Sequence, residues 1–389
     1  MRWWGAVGVV VLMGACTASA PTPPKSGSLS LAPASQPSIS SLDDDCSGLG
    51  RAEREISFVS HHRLYVARPG ATAARCVVTA SEGTDLRWGP QADRAFLLTS
   101  AGGRMMLDGV DRSDHLPYSP QAIPQGWSRP RGLAFLWITP DHRSLLKIDA
   151  GTGAREDVTF LARTDEAIYH PAGENILAVG EAEDGTYGIF LATNEGTEVQ
   201  PLVIGESAKR IYSLSFGPSG TLFYAAEHPD RFDAHRISFT KARDTGTVDA
   251  TLQTVFSTTD EITRVVSSPF RETDVAVQTG TCDTTTVVAN GVIDGLVGRS
   301  ERRDQHLVEN THSLGAPLDE MSTEPVGWLS THHLLVRARP SGCHGPASLY
   351  LWTPQRGAQL LVDHVGTAAV RVAYPDPPPP PAEETEVVA

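Results

Sequence analysis

Hydrophobic residues along this chain come in short runs, most of them four to eight residues long and interrupted by Gly, Pro, Asp, Asn or Thr. Runs of that length, rich in Leu, Ile, Val, Phe and Tyr, are too short for helices and predict β-strands joined by tight turns. The clearest copy runs from Arg210 to Ala226: an apolar run ending at Phe216, the turn Gly217-Pro-Ser-Gly220, and a second run from Thr221. Pro218 fixes φ and Gly220 tolerates φ > 0, so the four residues suit a sharp reversal between paired strands.

Weaker copies recur. Thr84–Pro90 precedes Ala95–Thr99, and Ile123–Pro130 precedes Gly132–Trp137 and Ser144–Asp149. Glu166–Gly173 precedes Ile176–Gly180 and Gly185–Ala192, while Ile262–Pro269 precedes Val275–Gln278. Pro325–Ser330 precedes Leu334–Ala338 and Ser348–Trp352. Between Trp88, Trp127, Tyr169, Phe216, Ser267 and Trp328 the steps are 39, 42, 47, 51 and 61 residues. Four short strands with their turns need roughly 40–50 residues, the length of a propeller blade. The longest step contains Asn290–Pro317, which reads as an extended loop.

The turns and strands that follow them resemble the TolB-like and WD40-like propeller repeats. Gly217-Pro-Ser-Gly220, His170-Pro-Ala-Gly173 and Gly185-Thr-Tyr-Gly-Ile-Phe190 carry the likeness, without the Asp of the family's Pro-Asp-Gly turn. Ser267-Ser-Pro-Phe270 keeps only the start of the motif. The resemblance implies an all-β propeller and says little about function. Thr367–Pro375 then reads as an inner strand without a blade, and Glu55–Ser60, Arg63–Ala67 and Cys76–Thr79 as three strands lacking an inner one. Joined, they close the ring with one blade drawn from both ends and leave no broad open edge. The count is seven four-stranded blades, with six as the alternative because the chain after Met105 has little strand character.

Outside the predicted propeller, 55–375, the sequence changes character. Met1–Ala15 has a positive start and an apolar core of about 11 residues, roughly 16 Å as a helix and too short for a ~30 Å hydrocarbon layer. It reads as a secretion signal. Leu12-Met-Gly-Ala-Cys16 resembles a bacterial lipobox, which implies lipidation at Cys16; cleavage after Ala18 or Ala20 is the alternative. Residues 16–54, rich in Ser, Pro, Ala and Thr, read as a flexible tether, and 376–389 as a Pro-rich acidic tail. The expected location is therefore the outer face of a bacterial cytoplasmic membrane or cell envelope, with the lipid as the only membrane contact.

Charge narrows the partners. The net charge of −14 and the absence of a basic run argue against nucleic acid and anionic headgroups. With Cys16 lipidated, Cys46, Cys76, Cys282 and Cys343 remain, an even number suited to two disulfides with three possible pairings. In the blade register Cys282 and Cys343 both follow second strands of neighbouring units, which favours Cys282–Cys343 and Cys46–Cys76. None of the four has metal-ligand spacing.

No hydrolase, P-loop, dinucleotide or calcium-loop motif occurs, and the sequence indicates no catalytic residue, cofactor or metal. His61-His62 and His332-His333 fall in turns, where adjacent side chains point apart. His228 and His235, with Asp230 and Asp233, have the composition of an oxygen–nitrogen metal site, but the segment reads as a solvated loop. Trp88, Trp127, Tyr169, Phe216 and Trp328 read as packing between blades rather than as ligand platforms. Arg87, Gln125, His170 and Arg264 are the polar residues expected to reach the central channel. The function this favours is a monomeric, lipid-anchored binding or scaffold module for an envelope protein, peptide or glycan. The alternative is a propeller enzyme (lyase, glycosidase or quinone-dependent dehydrogenase) with its site in that channel, and a third reading is the sensory partner of a transporter or kinase.

Overall fold

The computed structural model describes residues 38–48, 54–80, 83–89, 92–99, 102–107, 110–111, 123–128, 134–171, 175–204, 208–241, 248–290, 311–340, 342 and 345–372. Cys16 and the expected signal and acidic tail lie outside these residues. Among them the fold is a β-propeller: six four-stranded antiparallel sheets of consecutive strands, and one five-stranded sheet built from both ends of the chain. We number the six blades I–VI in chain order and the composite closing blade VII. Their innermost strands are Gly83–Trp88 in I, Ile123–Trp127 in II, Arg163–Tyr169 in III, Arg210–Phe216 in IV, Ile262–Ser267 in V, Ser322–Ser330 in VI and Ala368–Val372 in VII.

The Arg210–Ala226 repeat folds as its sequence requires. Arg210–Phe216 pairs with Leu222–Glu227, and the Gly217 amide donates to the Thr221 carbonyl across the turn (2.8 Å). Gly220 has φ 81°, a conformation that costs glycine little. Blade VII closes as expected, with Arg54–Ser60 pairing antiparallel to Ala368–Val372.

The N-terminal arm departs from the expected tether. Ser41–Leu42 pairs parallel with Ala73–Thr79 as a fifth, outermost strand of blade VII, and the Ile39 amide donates to the Leu361 carbonyl of blade VI (2.9 Å). Ile39 is buried, which supplies the apolar anchor that the surrounding Ser- and Pro-rich composition obscures. The Cys46–Cys76 disulfide fastens the arm to the same strand.

Each blade–blade junction holds its own apolar cluster, so the described core is a ring of seven patches rather than one centre. Phe96 of blade I, for example, meets Phe135 of blade II at 4.7 Å between ring centroids. Burial of such faces on both sides of every sheet drives closure, because an open ring would expose two of them.

Blades I–VI share a further feature that the strand pattern did not reveal. In each, the pairing of the first two strands carries a register shift, as at Thr164/Glu166 in III and Tyr212/Ser215 in IV. Such a bulge turns side chains and amides of the inner strand away from the ladder, toward the neighbouring blade and the channel.

Candidate functional site

Inner-strand amides that face away from the ladder are taken up by side chains from the preceding blade. Gln125 Oε1 of blade II accepts the Ala167 amide of blade III (2.8 Å). The Glu166 carboxylate accepts two amides of blade IV, from Ser213 (2.6 Å) and Leu214 (2.8 Å). Ser213, at φ 58°, in turn presents its hydroxyl to the Val265 amide of blade V (2.7 Å). Arg264 of blade V pairs with Glu324 of blade VI (2.7 Å), and Glu324 also binds Arg337, whose guanidinium donates to the Gly366 carbonyl beside blade VII. Arg371 of blade VII donates to the Ala92 carbonyl of blade I (2.8 Å), and the Arg87 guanidinium of blade I donates to the Gln125 carbonyl of blade II. These contacts form a polar circuit through all seven blades.

The electrostatics follow from burial and partners. Burial pushes the Glu166 carboxyl above its ordinary range, opposed by its two amide donors and by Arg87 and Arg210. Burial acts the same way on Glu324, but Arg264 and Arg337 outweigh it and hold that carboxyl below its ordinary range. At blade VII the fully buried Arg371 binds Glu55 (2.8 Å) and lies 4.7 Å over the Trp88 ring.

Inside this circuit lies a central cavity of ≈310 Å³ bounded by all seven inner strands. Trp88, Trp127, Tyr169, Phe216 and Trp328 all border it, and Arg87 is the one charged side chain among its described lining. The tryptophans also serve the framework, as their spacing suggested: each indole N–H is spent on a neighbouring blade, Trp88 on Ser57 Oγ (2.7 Å), Trp127 on the Arg87 carbonyl (3.2 Å) and Trp328 on the Val266 carbonyl (3.1 Å).

Of the four expected channel residues, Arg87 and Gln125 line the cavity. His170 does not border it. Its ring packs edge-on to Phe216 (5.2 Å between centroids) and under Gly220, and burial lowers its pKa. Arg264 is likewise outside the lining, turned to Glu324. The expected disulfides involve four cysteines. Cys46–Cys76 is formed, and Cys282 is disulfide-bonded while Cys343 lies outside the described residues. The Gly342 amide donates to Asp283 Oδ1 (2.9 Å), so the two second-to-third-strand loops meet as the register requires. His61 and His62, both with positive φ, make the two-residue turn between Arg54–Ser60 and Arg63–Ala67.

The reading of 228–235 as a solvated loop is corrected. Asp233 and His235 lie on the strand Phe232–Lys241 and are buried, with His228 folded over them from the turn; Pro229, Asp230 and Arg231 at the tip of the turn are exposed. Burial lowers the His235 pKa to about 4 despite the pull of Asp233, while Asp233, although buried, is kept below its ordinary range by Ser257 and Arg231.

No protein-family model and no curated protein matches the sequence. Solved structures do match the fold. An oligogalacturonate lyase in complex with manganese is 11% identical, with TM-score 0.49, over 75% of this chain and 82% of its own. TolB from Acinetobacter baumannii is 12% identical, with TM-score 0.43, over 81% and 65%. The β-propeller domain of Cps50 (Swd1) from Myceliophteria thermophila is 13% identical, with TM-score 0.46, over 77% and 88%. TolB and WD40-type propellers thus stand among the similar folds. At these identities the likeness concerns architecture alone.

Proposed function

We propose that this chain is an extracytoplasmic binding module, lipid-anchored through Cys16, whose central cavity receives an extended segment of an envelope partner. The observation that carries this reading is the cavity itself: aromatic edges and uncharged strand backbone enclose ≈310 Å³, with Arg87 as the described charge on its wall. A recess with aromatic edges, polar strand groups and one cationic side chain suits a segment that presents an apolar side chain and a carboxylate or carbonyl acceptor. Among its described lining the cavity carries Tyr169 and Arg87 but no carboxylate or imidazole.

A photo-crosslinking residue placed at Gln125 in intact envelopes tests the binding site, with Leu252, exposed on the outer edge of blade IV, as the control position. The expected result is a discrete adduct from position 125 that Arg87→Glu abolishes and that position 252 does not give. Equal adducts from both positions, or an adduct indifferent to Arg87→Glu, would remove the cavity from the reading. Metabolic labelling with a palmitate analogue, compared between wild type and Cys16→Ser, tests the anchor separately.

A further inference from the structure

The turn between the second and third strands of blade IV gathers three potential ligands. The His228 amide closes it by donating to the Arg231 carbonyl (2.8 Å), which brings the His228 ring back over the strand that follows. Asp233 and His235 are two residues apart on that strand and so share a face. Ala226 stands opposite Asp233 and offers only a methyl group to the space, while Tyr224 stands opposite His235 with its ring 5.1 Å away.

Three atoms converge. His228 Nε2 is 3.3 Å and His235 Nε2 3.9 Å from Asp233 Oδ2, and all three lie within 4.8 Å of one another. Two ligands each ~2.1 Å from a tetrahedral zinc lie roughly 3.4 Å apart, so small side-chain rotations convert this arrangement into a coordination set. The side chains are 13%, 3% and 10% exposed for His228, Asp233 and His235, which separates them from a hydrated surface cluster.

An outer layer orients them. Ser257 Oγ donates to Asp233 Oδ1 (2.7 Å), and Thr254 Oγ1 lies 3.2 Å from His235 Nδ1. Both come from the blade's outermost strand and engage the ligand atoms facing away from the cluster, leaving Oδ2 and Nε2 turned inward. Metal-binding imidazoles and carboxylates are ordinarily held in this way. Arg231 Nε also reaches Asp233 Oδ2 (2.9 Å), but that side chain is 52% exposed and can swing into solvent. It is a cationic competitor that neutralises the carboxylate when no metal does.

We propose that His228, Asp233 and His235 form a binding site for a divalent transition-metal ion of zinc's class, with water as the fourth ligand. Two imidazoles and one carboxylate suit such an ion and are too nitrogen-rich for calcium or magnesium. The site lies on the outer part of blade IV, and none of its three residues borders the central cavity.

Titration of the chelator-treated full-length chain with Zn²⁺, followed by competition with a chromophoric chelator and by the visible spectrum of the Co²⁺ form, tests it. The expected result is one ion per chain, with low-coordinate Co²⁺ bands. Asp233→Asn and His235→Gln should abolish both signals, and Ser257→Ala should weaken binding by ~10-fold or more. A double variant in the turn histidines, His61→Asn with His332→Asn, should leave binding unchanged. Arg231→Ala removes the competing, half-exposed cation and, in protein whose far-UV circular dichroism and Tm match wild type, should tighten binding severalfold. Absence of stoichiometric binding by wild type would overturn the proposal, as would binding that survives His235→Gln or that weakens in Arg231→Ala.

Discussion

Removing the Glu166 carboxylate tests how much the inter-blade circuit contributes. In Glu166→Ala the Ser213 and Leu214 amides lose acceptors at 2.6 and 2.8 Å. The bulge turns both away from the ladder, so no strand partner replaces the carboxylate. Each unsatisfied amide costs about 1–3 kcal/mol when buried; Leu214 is buried and Ser213 half-buried, so the gross loss is about 2–4 kcal/mol. Deleting a carboxylate whose pKa burial has pushed up returns part of this, so the net loss lies below the gross figure. For a propeller of about 320 residues, with an unfolding entropy of ~2.1 cal/mol/K per residue, a net loss of about 1–3 kcal/mol is a fall in Tm of roughly 1–5 °C by scanning calorimetry. Glu166→Gln keeps one acceptor oxygen and should fall between. Hydrogen exchange should quicken at Ser213 and Leu214 before it does elsewhere in blade IV. An unchanged Tm, with unchanged exchange at those two amides, would refute the account and reduce the circuit to incidental contacts.

Three other perturbations probe separate parts of the ring. Glu324 has a folded pKa held below its unfolded value, so it contributes stability above about pH 4.3 that is lost as the pH falls through the folded value. Acid unfolding of Glu324→Gln should therefore begin from a lower stability at pH 7 and show a shallower loss below about pH 4.3. Arg371→Met strands the Glu55 charge at the closing seam and should cost about 3–5 kcal/mol by denaturant unfolding, much of it recovered in Arg371→Met with Glu55→Leu. Gly327→Ala would place a Cβ 2.7 Å from Val370 Cγ2, where the inner strands of blades VI and VII meet. It should cost about 1–3 kcal/mol and be relieved by Val370→Ala.

The architecture was legible where local pattern and ring closure agreed. Arg210–Phe216 and Leu222–Glu227 are marked by their apolar runs and by a turn that needs Gly220, and Val370 and Ile56 by the demand that the last and first strands complete one blade. The candidate site was less legible, because a bulge adds one residue without a compositional mark and so shifts which residues face inward. Arg264 follows such a shift at Ile262/Arg264 and turns to Glu324 instead of the cavity. Glu166 looked like an ordinary polar strand residue, because the amides it binds lie 47 and 48 residues further along the chain. In 228–235, Pro229, Asp230 and Arg231 suggest a loop, yet Asp233 and His235 keep the two-residue spacing of one strand face. That spacing was the available signal, and only the fold shows the face to be buried.

The arm crossing blade VII also governs how the ring meets a mechanical load. Tension entering from the N-terminal side of Ser38 first peels the two short rows of hydrogen bonds along Leu360–Leu361 and Thr72–Ala74. It then reaches Cys46, where the covalent path jumps across the sulfur bridge to Cys76 and on toward blade I. Residues 47–75 drop out of the load path, and among them is Arg54–Ser60, the strand whose pairing with Ala368–Val372 holds the ring shut. The bridge acts as a strain relief: a pull on the arm is carried around the clasp, and the propeller can be tugged there without being unzipped at its seam.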